Sequence, residues 1–288
     1  MSKNKSKNFT VTEFFKRFPD DDSCLDHLMK IRHGEEQACP KCGKTSKFSR
    51  VKKRPLYQCQ CGHQISPMVG TPFEKSRTPL QKWFYAMYLF TTSRHGVPAK
   101  ELQRQLGVTY KCAWRMGHEI RKYMGITDGD DGLSGHVEID ETYVGGIKHS
   151  GKPGPDYSNK IAVLGMVERN GDVITRVIPD AKRKNLIPHI LKHVKTASTV
   201  STDELRAYRV LSNHYDHDSV CHKEKQWRKG KHHTNTIEGY WSHIKRSILG
   251  THIHVSKKHM SKYLAEFEYR YNMRDVPHIM FNRLLLAF

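Results

Sequence analysis

Apolar positions recur along this chain with two different periods, and the change from one to the other follows residue 130. In the first half the spacing is helical. Residues 11–35 (VTEFFKRFPDDDSCLDHLMKIRHGE) predict one or two short amphipathic helices, and residues 77–125 return to that period over TPLQKWFYAMYLF, PAKELQRQLG and KCAWRMGHEIRKYM. Between these stretches, residues 36–72 are poor in periodicity and rich in Cys, Gly, Lys and Pro. A unit that small and that polar does not hold together by burial alone. The acidic, Gly-rich TDGDDGLSG (127–135) reads as a linker. Beyond it the pattern turns to strands. HVEIDETYVGG predicts one strand; KIAVLGMVERNG and DVITRVIPDA predict two more, joined at Asn170-Gly171, a hairpin signal. Residues 183–194 fit a helix, ASTVSTDE a fourth strand ending on Asp203, LRAYRVLSNHY a helix and SVCHKE a fifth strand. Two helices, over 235–249 and 257–274, close the chain.

Three strands followed by alternating helices and strands predict a mixed sheet with helices on its faces. That order is the one the RNase H-like fold uses. A length of 288 residues allows one large core and one or two small modules, and 37% hydrophobic with 10% aromatic content excludes wholesale disorder. Lys and Arg outnumber Asp and Glu by 49 to 29, a net charge of +20. A surplus of that size calls for a polyanionic partner, and nucleic acid is the usual one, because each cation set on a phosphate releases condensed counterions. No apolar run approaches the ~20 residues that span a bilayer. The start MSKNKSKNFT is basic without an apolar core, so no secretory signal is read there and a cytoplasmic location is expected. In a reducing compartment, seven cysteines, an odd number, read as metal ligands before disulfides.

Four of the seven fall into two clusters. Cys39-Pro-Lys-Cys42-Gly is a CxxC knuckle with a glycine to permit the tight turn; Cys59-Gln-Cys61-Gly-His63 follows at CxC spacing, one residue short. Cys39, Cys42 and Cys59 are expected to hold Zn²⁺, with Cys61 or His63 as the fourth ligand. Cys24, Cys112 and Cys221 lie outside the pattern, the last two as small apolar fillers. Downstream, AKELQRQLG (99–107) and the helix from Lys111 are joined by Val108-Thr109-Tyr110. The second helix carries Lys111, Arg115, Arg121 and Lys122, which matches a helix-turn-helix that reads DNA.

Carboxylates supply the candidate chemistry. Asp140 sits inside the strand VEIDETYVGG, Asp203 ends the strand in STDELRAY, and Glu238 opens the helix in HTNTIEGYWSHIKRSILG. Two strand acids and one helix acid can converge at the edge of a mixed sheet. Phosphodiester chemistry uses such a set, because two Mg²⁺ or Mn²⁺ ions about 4 Å apart need hard oxygen ligands. Asn235, Glu238, Ser242 and Lys245 share one helix face, where Lys245, with Arg246 beside it, could hold a DNA phosphate. Glu138, Glu141 and Glu204 lie close by. Glu138 shares the strand face of Asp140, and sequence geometry leaves it open. His232 and His233 read as a basic DNA-contacting loop.

The motifs CPKCG, CGHQISP, GTPFEKSRTPLQKWFYAMYLF, AKELQRQLGVTYKCAWRMGHEIR, VEIDETYVGG, TDELRAY and HTNTIEGYWSHIKRSILGTH run from about residue 15 to 275. In that combination the chain resembles the DDE transposases of bacterial insertion sequences that carry a zinc-ribbon head and an ISXO-type catalytic domain. The resemblance implies four regions: an N-terminal helical segment (1–35), a zinc ribbon (36–75), a helix-turn-helix DNA-binding region (76–126) and an RNase H-like catalytic domain (134–288). It implies that Asp140 and Asp203 are the first two catalytic acids, that Glu238 or Asn235 is the third group, and that Lys245 follows along the helix. Glu238 is preferred, because a carboxylate binds a divalent ion better than an amide does. The implied partners are double-stranded DNA, both element ends and target, and further copies of the chain, since two ends must be joined. The rivals are a DNA-binding regulator without catalysis, derived from such an enzyme, and a nuclease that cuts without joining. The departure from the family pattern is the CxC spacing.

Overall fold

The structure, a computed structural model, describes residues 9–129, 131–145, 160–221 and 228–288. The chain divides into two compact units. One gathers Met1–Ser93, Ala99–Tyr123 and Val276–Phe288; the other gathers Arg94–Pro98 and Met124–Asp275. No helix among the described residues is long and apolar enough to cross a membrane.

In the first unit, the expectation for residues 11–35 resolves into two helices, α1 (Val11–Arg17) and α2 (Asp21–His33). Each starts on a reciprocal cap. The Thr10 hydroxyl accepts from the Glu13 amide while the Glu13 carboxylate accepts from the Thr10 amide, and Asp20 and Ser23 repeat the exchange. Five two-residue strands follow: β1 (Gln37–Ala38), β2 (Thr45–Ser46), β3 (Ser49–Arg50), β4 (Tyr57–Gln58) and β5 (Gln64–Ile65). They make a β1–β2 hairpin and an antiparallel β3–β4–β5 sheet. Three helices come next, α3 (Leu80–Thr92), α4 (Ala99–Leu106) and α5 (Tyr110–Asp128), the last belonging to this unit as far as Tyr123. The α4–α5 turn passes through Gly107 at φ +59°, and the Thr109 hydroxyl accepts from the Cys112 amide at the start of α5.

In the second unit, the strands are β6 (His136–Val144), β7 (Ile161–Glu168), β8 (Val173–Ile178), β9 (Thr199–Thr202) and β10 (Asp216–Ser219). Helix α6 (Arg183–His193) lies between β8 and β9, and a 3₁₀ stretch, Arg206–Asn213, between β9 and β10. The sheet order is β10-β9-β6-β7-β8. The β6–β7–β8 part is antiparallel; β9 lies parallel to both β6 and β10. Asn170 takes φ +61° at the β7–β8 turn, as Asn-Gly led one to expect. Helices α7 (Asn235–Ser247) and α8 (Lys257–Asn272) follow.

Strand alternation gives this sheet two cores. Val137, Ile139, Leu164 and Met166 face Leu186, Ile190, Tyr208 and Leu211 on one side. Val144, Val163, Val167 and Val173 face Ile237, Trp241, Ile244 and Leu264 on the other.

Four details depart from the sequence reading. The fifth strand is Asp216–Ser219 instead of SVCHKE, of which His222–Glu224 lie outside the described residues. Its pairing with β9 begins directly after Tyr215, whose buried hydroxyl donates to the Val194 carbonyl. The helix read in LRAYRVLSNHY is 3₁₀. The linker read at 127–135 is partly structured: α5 runs to Asp128, and buried Leu133 bridges to Val194. Finally, a helix not foreseen, α9 (Met280–Leu286), ends the chain and groups with the first unit. There Phe281 packs against Phe14, Phe18 and Phe84, and Phe288 stacks on Phe73 and Tyr123.

Candidate functional site

Parallel pairing of β6 with β9 covers only His136–Glu138 against Thr199–Ser201. Past that point β6 runs on to Val144, paired in the described residues with β7 alone. Asp140 and Glu141 sit on this half-paired stretch, and Asp203 directly follows the end of β9. The three carboxylates converge: one oxygen from each lies within 4.8 Å of the others. Each is held by a different donor. The Trp241 indole N–H of α7 donates to Asp140 Oδ2 at 3.0 Å. From the opposite face of the sheet, the Tyr208 hydroxyl donates to Glu141 Oε2 at 2.7 Å. The Leu205 amide donates to Asp203 Oδ1 at 3.0 Å. Gly165 is the register partner of Asp140 on β7. A Cβ there would lie 2.5 Å from Cη2 of Trp241 and 2.9 Å from Cδ1 of Ile237, so the missing side chain is what lets α7 approach the strand.

Crowding three acids has an electrostatic cost that the titration directions register. Burial, then the charges of Glu141 and Asp203, push the Asp140 carboxyl up to about 7. Burial also raises Glu141, against the pull of the Tyr208 hydroxyl. Lys245, though exposed, is lowered by partial desolvation of its ammonium, while the charge of Asp140 pulls the other way. Hard oxygen donors, mutual repulsion and partial burial fit a divalent cation of the Mg²⁺ or Mn²⁺ class.

The other residues singled out in the sequence divide. Glu238 is on α7 but is not a member of the converging trio; its carboxylate accepts from the Thr234 hydroxyl at 2.7 Å. Asn235, the first residue of α7, is exposed, as are Lys245 and Arg246 near the other end of the helix. Glu204 does not join the trio. Glu138, on the Asp140 face, is fully buried and committed elsewhere. It accepts from Arg169 Nε (2.6 Å), from the Thr236 amide (2.7 Å) and hydroxyl (2.9 Å), and from the Ile237 amide (3.1 Å). The two histidines do not form an open basic loop: His232 is buried against Ser201, and His233 faces Glu138 at 3.1 Å.

On α5, Lys111, Arg115 and Lys122 are exposed. Arg121 is a correction: it is buried, its guanidinium over the Phe90 ring, so it packs the first unit and is closed to an outside partner. Exposed Tyr110 and Trp114 share the outward side of α5 with Lys111 and Arg115. The signal for them was their helical spacing from the basic residues.

The four knuckle cysteines form the second cluster, their Sγ atoms within 4.8 Å of one another. Both knuckles turn on a glycine of positive φ, Gly43 and Gly62. In the first, the Gly43 amide closes on the Cys39 carbonyl; in the second, the Gly62 amide closes on the Cys59 carbonyl. The CxC knuckle is thus the same device wound one residue tighter, and Cys61 completes the group while His63 lies outside it. The Cys61 amide draws the Cys59 thiol down to about 6. A four-thiol donor set of this compactness fits Zn²⁺.

Comparison with known proteins agrees with both clusters. Residues 132–272, which contain the three carboxylates, match the ISXO2-like transposase domain; residues 19–64, which contain the four cysteines, match the transposase zinc-ribbon domain. The chain is 29% identical over 277 residues to an uncharacterized protein in transposable element ISH50 of Halobacterium salinarum, covering 88% of this chain and 92% of that protein. It is 31% identical over 105 residues to an uncharacterized transposase-like protein of Haemophilus influenzae, covering 36% of this chain and 84% of that protein. The chain therefore belongs to the insertion-sequence transposase family in which a zinc-ribbon domain precedes an ISXO2-like transposase domain.

Proposed function

We propose that this transposase binds the terminal inverted repeats of its insertion sequence and carries out metal-dependent DNA cleavage and strand transfer. The observation that carries the reading is the convergence of Asp140 and Asp203 where the β6–β9 pairing ends, in a chain of net charge +20. The sheet order β10-β9-β6-β7-β8 supports an RNase H-like catalytic domain. Asp140 and Asp203 hold the divalent ions, Mg²⁺ or Mn²⁺, and Glu238 on α7 is the third acid of the set. Bound there, such ions make water or a 3′-hydroxyl nucleophilic and stabilise the leaving oxygen. Lys245, Arg246 and Asn235, on the same helix, position the DNA phosphates. The α4–α5 pair acts as a helix-turn-helix, with Lys111, Arg115 and Lys122 on double-stranded DNA, and the zinc ribbon stiffens the head beside it. Two element ends have to be joined, so the active form is a homo-oligomer on DNA.

The test is a strand-transfer assay with labelled DNA carrying the repeats that flank the gene, a plasmid target, and Mg²⁺ or Mn²⁺. Joined products that disappear with Asp140→Asn are expected. Binding by both proteins with neither cutting nor joining would instead identify a DNA-binding regulator.

A further inference from the structure

We propose that Glu141 is a ligand of the divalent ion, so that one metal site is held by adjacent residues of a single strand from both faces of the sheet. The proposal rests on the metal-dependent reading above and adds to it a residue that strand periodicity sets aside. Neighbours on a strand point to opposite faces. Inside a sheet, the carboxylates of residues 140 and 141 would be separated by the backbone and by the adjoining strand. Here β9 stops at Thr202, and β6 continues without it. Both side chains can therefore curl around the open edge toward Asp203, and their oxygens meet within 4.8 Å.

Each side chain is fixed by a donor from its own core. Trp241, in the α7–α8 core, orients Asp140; Tyr208, in the α6 core, orients Glu141. Tyr208 is 1% exposed, so its hydroxyl is a buried donor, aimed at Glu141 by the packing around its ring. A ligand carboxylate supported by a buried hydrogen-bond donor is the usual outer-shell arrangement of a metal site. Selection among the local acids is visible too. Glu138 is committed to Arg169 and the start of α7, and Glu204 stays outside the trio, whereas Glu141 is aimed at the two aspartates despite their charge.

The experiment is Mn²⁺ binding to the full, zinc-loaded chain, followed by the spectroscopic signal of free Mn²⁺. The proteins compared are wild type, Asp140→Asn, Glu141→Gln and Tyr208→Phe, each checked for an intact melting transition without Mn²⁺. Glu141→Gln is expected to weaken binding by more than about tenfold, and Tyr208→Phe, which leaves every carboxylate in place, by roughly tenfold. If Asp140→Asn abolishes binding while Glu141→Gln and Tyr208→Phe stay within about twofold of wild type, well short of the usual outer-shell effect, the assignment of Glu141 is overturned and the metal reading stands. If Asp140→Asn also binds like wild type, the metal reading itself falls and the assignment with it. Should Glu141→Gln fail to fold, Tyr208→Phe alone decides.

Discussion

Replacing Glu138 by glutamine asks how the helix carrying Trp241, Glu238 and Lys245 is held to the sheet. Thr234 stands at the N-cap of α7 yet makes no side-chain cap; its hydroxyl donates to Glu238 instead. The first-turn amides of Thr236 and Ile237, which have no partner inside the helix, donate to Glu138 across from β6. Glu138 is thus a cap supplied by the sheet, and a carboxylate at a helix N-terminus also meets the favourable end of the dipole. The same carboxylate neutralises Arg169, whose other N–H groups donate to the Lys231 and His233 carbonyls. Removing one partner of a buried ion pair costs about 3–5 kcal/mol. Glutamine keeps one carbonyl oxygen for the amides, and Arg169 keeps its two carbonyls, so a loss of about 2–4 kcal/mol is expected, below the full penalty. At roughly 2–4 °C per kcal/mol for a unit of this size, the corresponding transition should fall by about 5–15 °C. The assay is thermal and urea denaturation by circular dichroism, without divalent ions, on wild type, Glu138→Gln and Arg169→Lys. Arg169→Lys keeps the charge but loses the fork of donors, and should fall in between. A Glu138→Gln stability within about 0.5 kcal/mol of wild type, the range of ordinary surface substitutions, would refute the sheet-cap reasoning.

Two further outcomes follow from the same geometry. Cys61→Ala should strip zinc and leave the ribbon protease-sensitive, because strands of two residues do not hold without the metal, while His63→Ala should keep full zinc; metal analysis of the two purified variants decides, and the reverse pattern would sink the tighter-knuckle account. Burial, then Arg169, draw His136 from 6.5 down to about 4. The unfolded chain takes up that proton near 6.5 and the folded one resists it until about 4, so stability from this group is complete above 6.5 and drains away as pH falls toward 4. His136→Gln, which cannot titrate, should flatten that decline in melting curves taken across this range; parallel curves would count against it.

The elements legible in the sequence are those whose burial follows one period. Seven of the eight residues of β7 are buried, as a central strand covered on both faces must be, and its apolar run is plain to read. Helices α3 and α5 show their apolar stripes equally well. β10 does not, because DHDS is an edge strand with no buried residue, joined to β9 through its backbone. The eye is drawn to Val220 and Cys221 instead, which come after the pairing ends. α9 is seven residues long, and its partners Phe14, Phe18 and Phe84 are some two hundred or more positions away in sequence. Its place in the first unit is a tertiary fact that no local window contains. Arg121 misleads for a related reason: on a basic helix it looks like its neighbours, and only the Phe90 ring beneath it removes it from the surface.

The acids of the site make the same point more sharply. Asp140 and Asp203 stand out because each sits in or just after a strand, where a charged side chain is unusual. Choosing their companion by the two-residue period favours Glu138, which does share the face of Asp140. That inference assumes an unbroken sheet, in which only residues of one face can meet. At Glu138 the assumption holds: β9 lies alongside, the side chain is sealed beneath α7, and charge there is tolerable only because Arg169 and two helix amides answer it. Two residues on, β9 has ended, and the edge of β6 is open to both faces. The chemistry then depends on where a neighbouring strand stops, which is set by a turn at Asp203 far along the chain. A carboxylate that strand periodicity assigns to the wrong face comes, at such an edge, within 4.8 Å of both Asp140 and Asp203. The same rule that misplaces Glu141 in an ideal sheet accounts for the proposed role, because at an open edge neighbours from opposite faces can both reach an ion lying beyond the edge, beside Asp203.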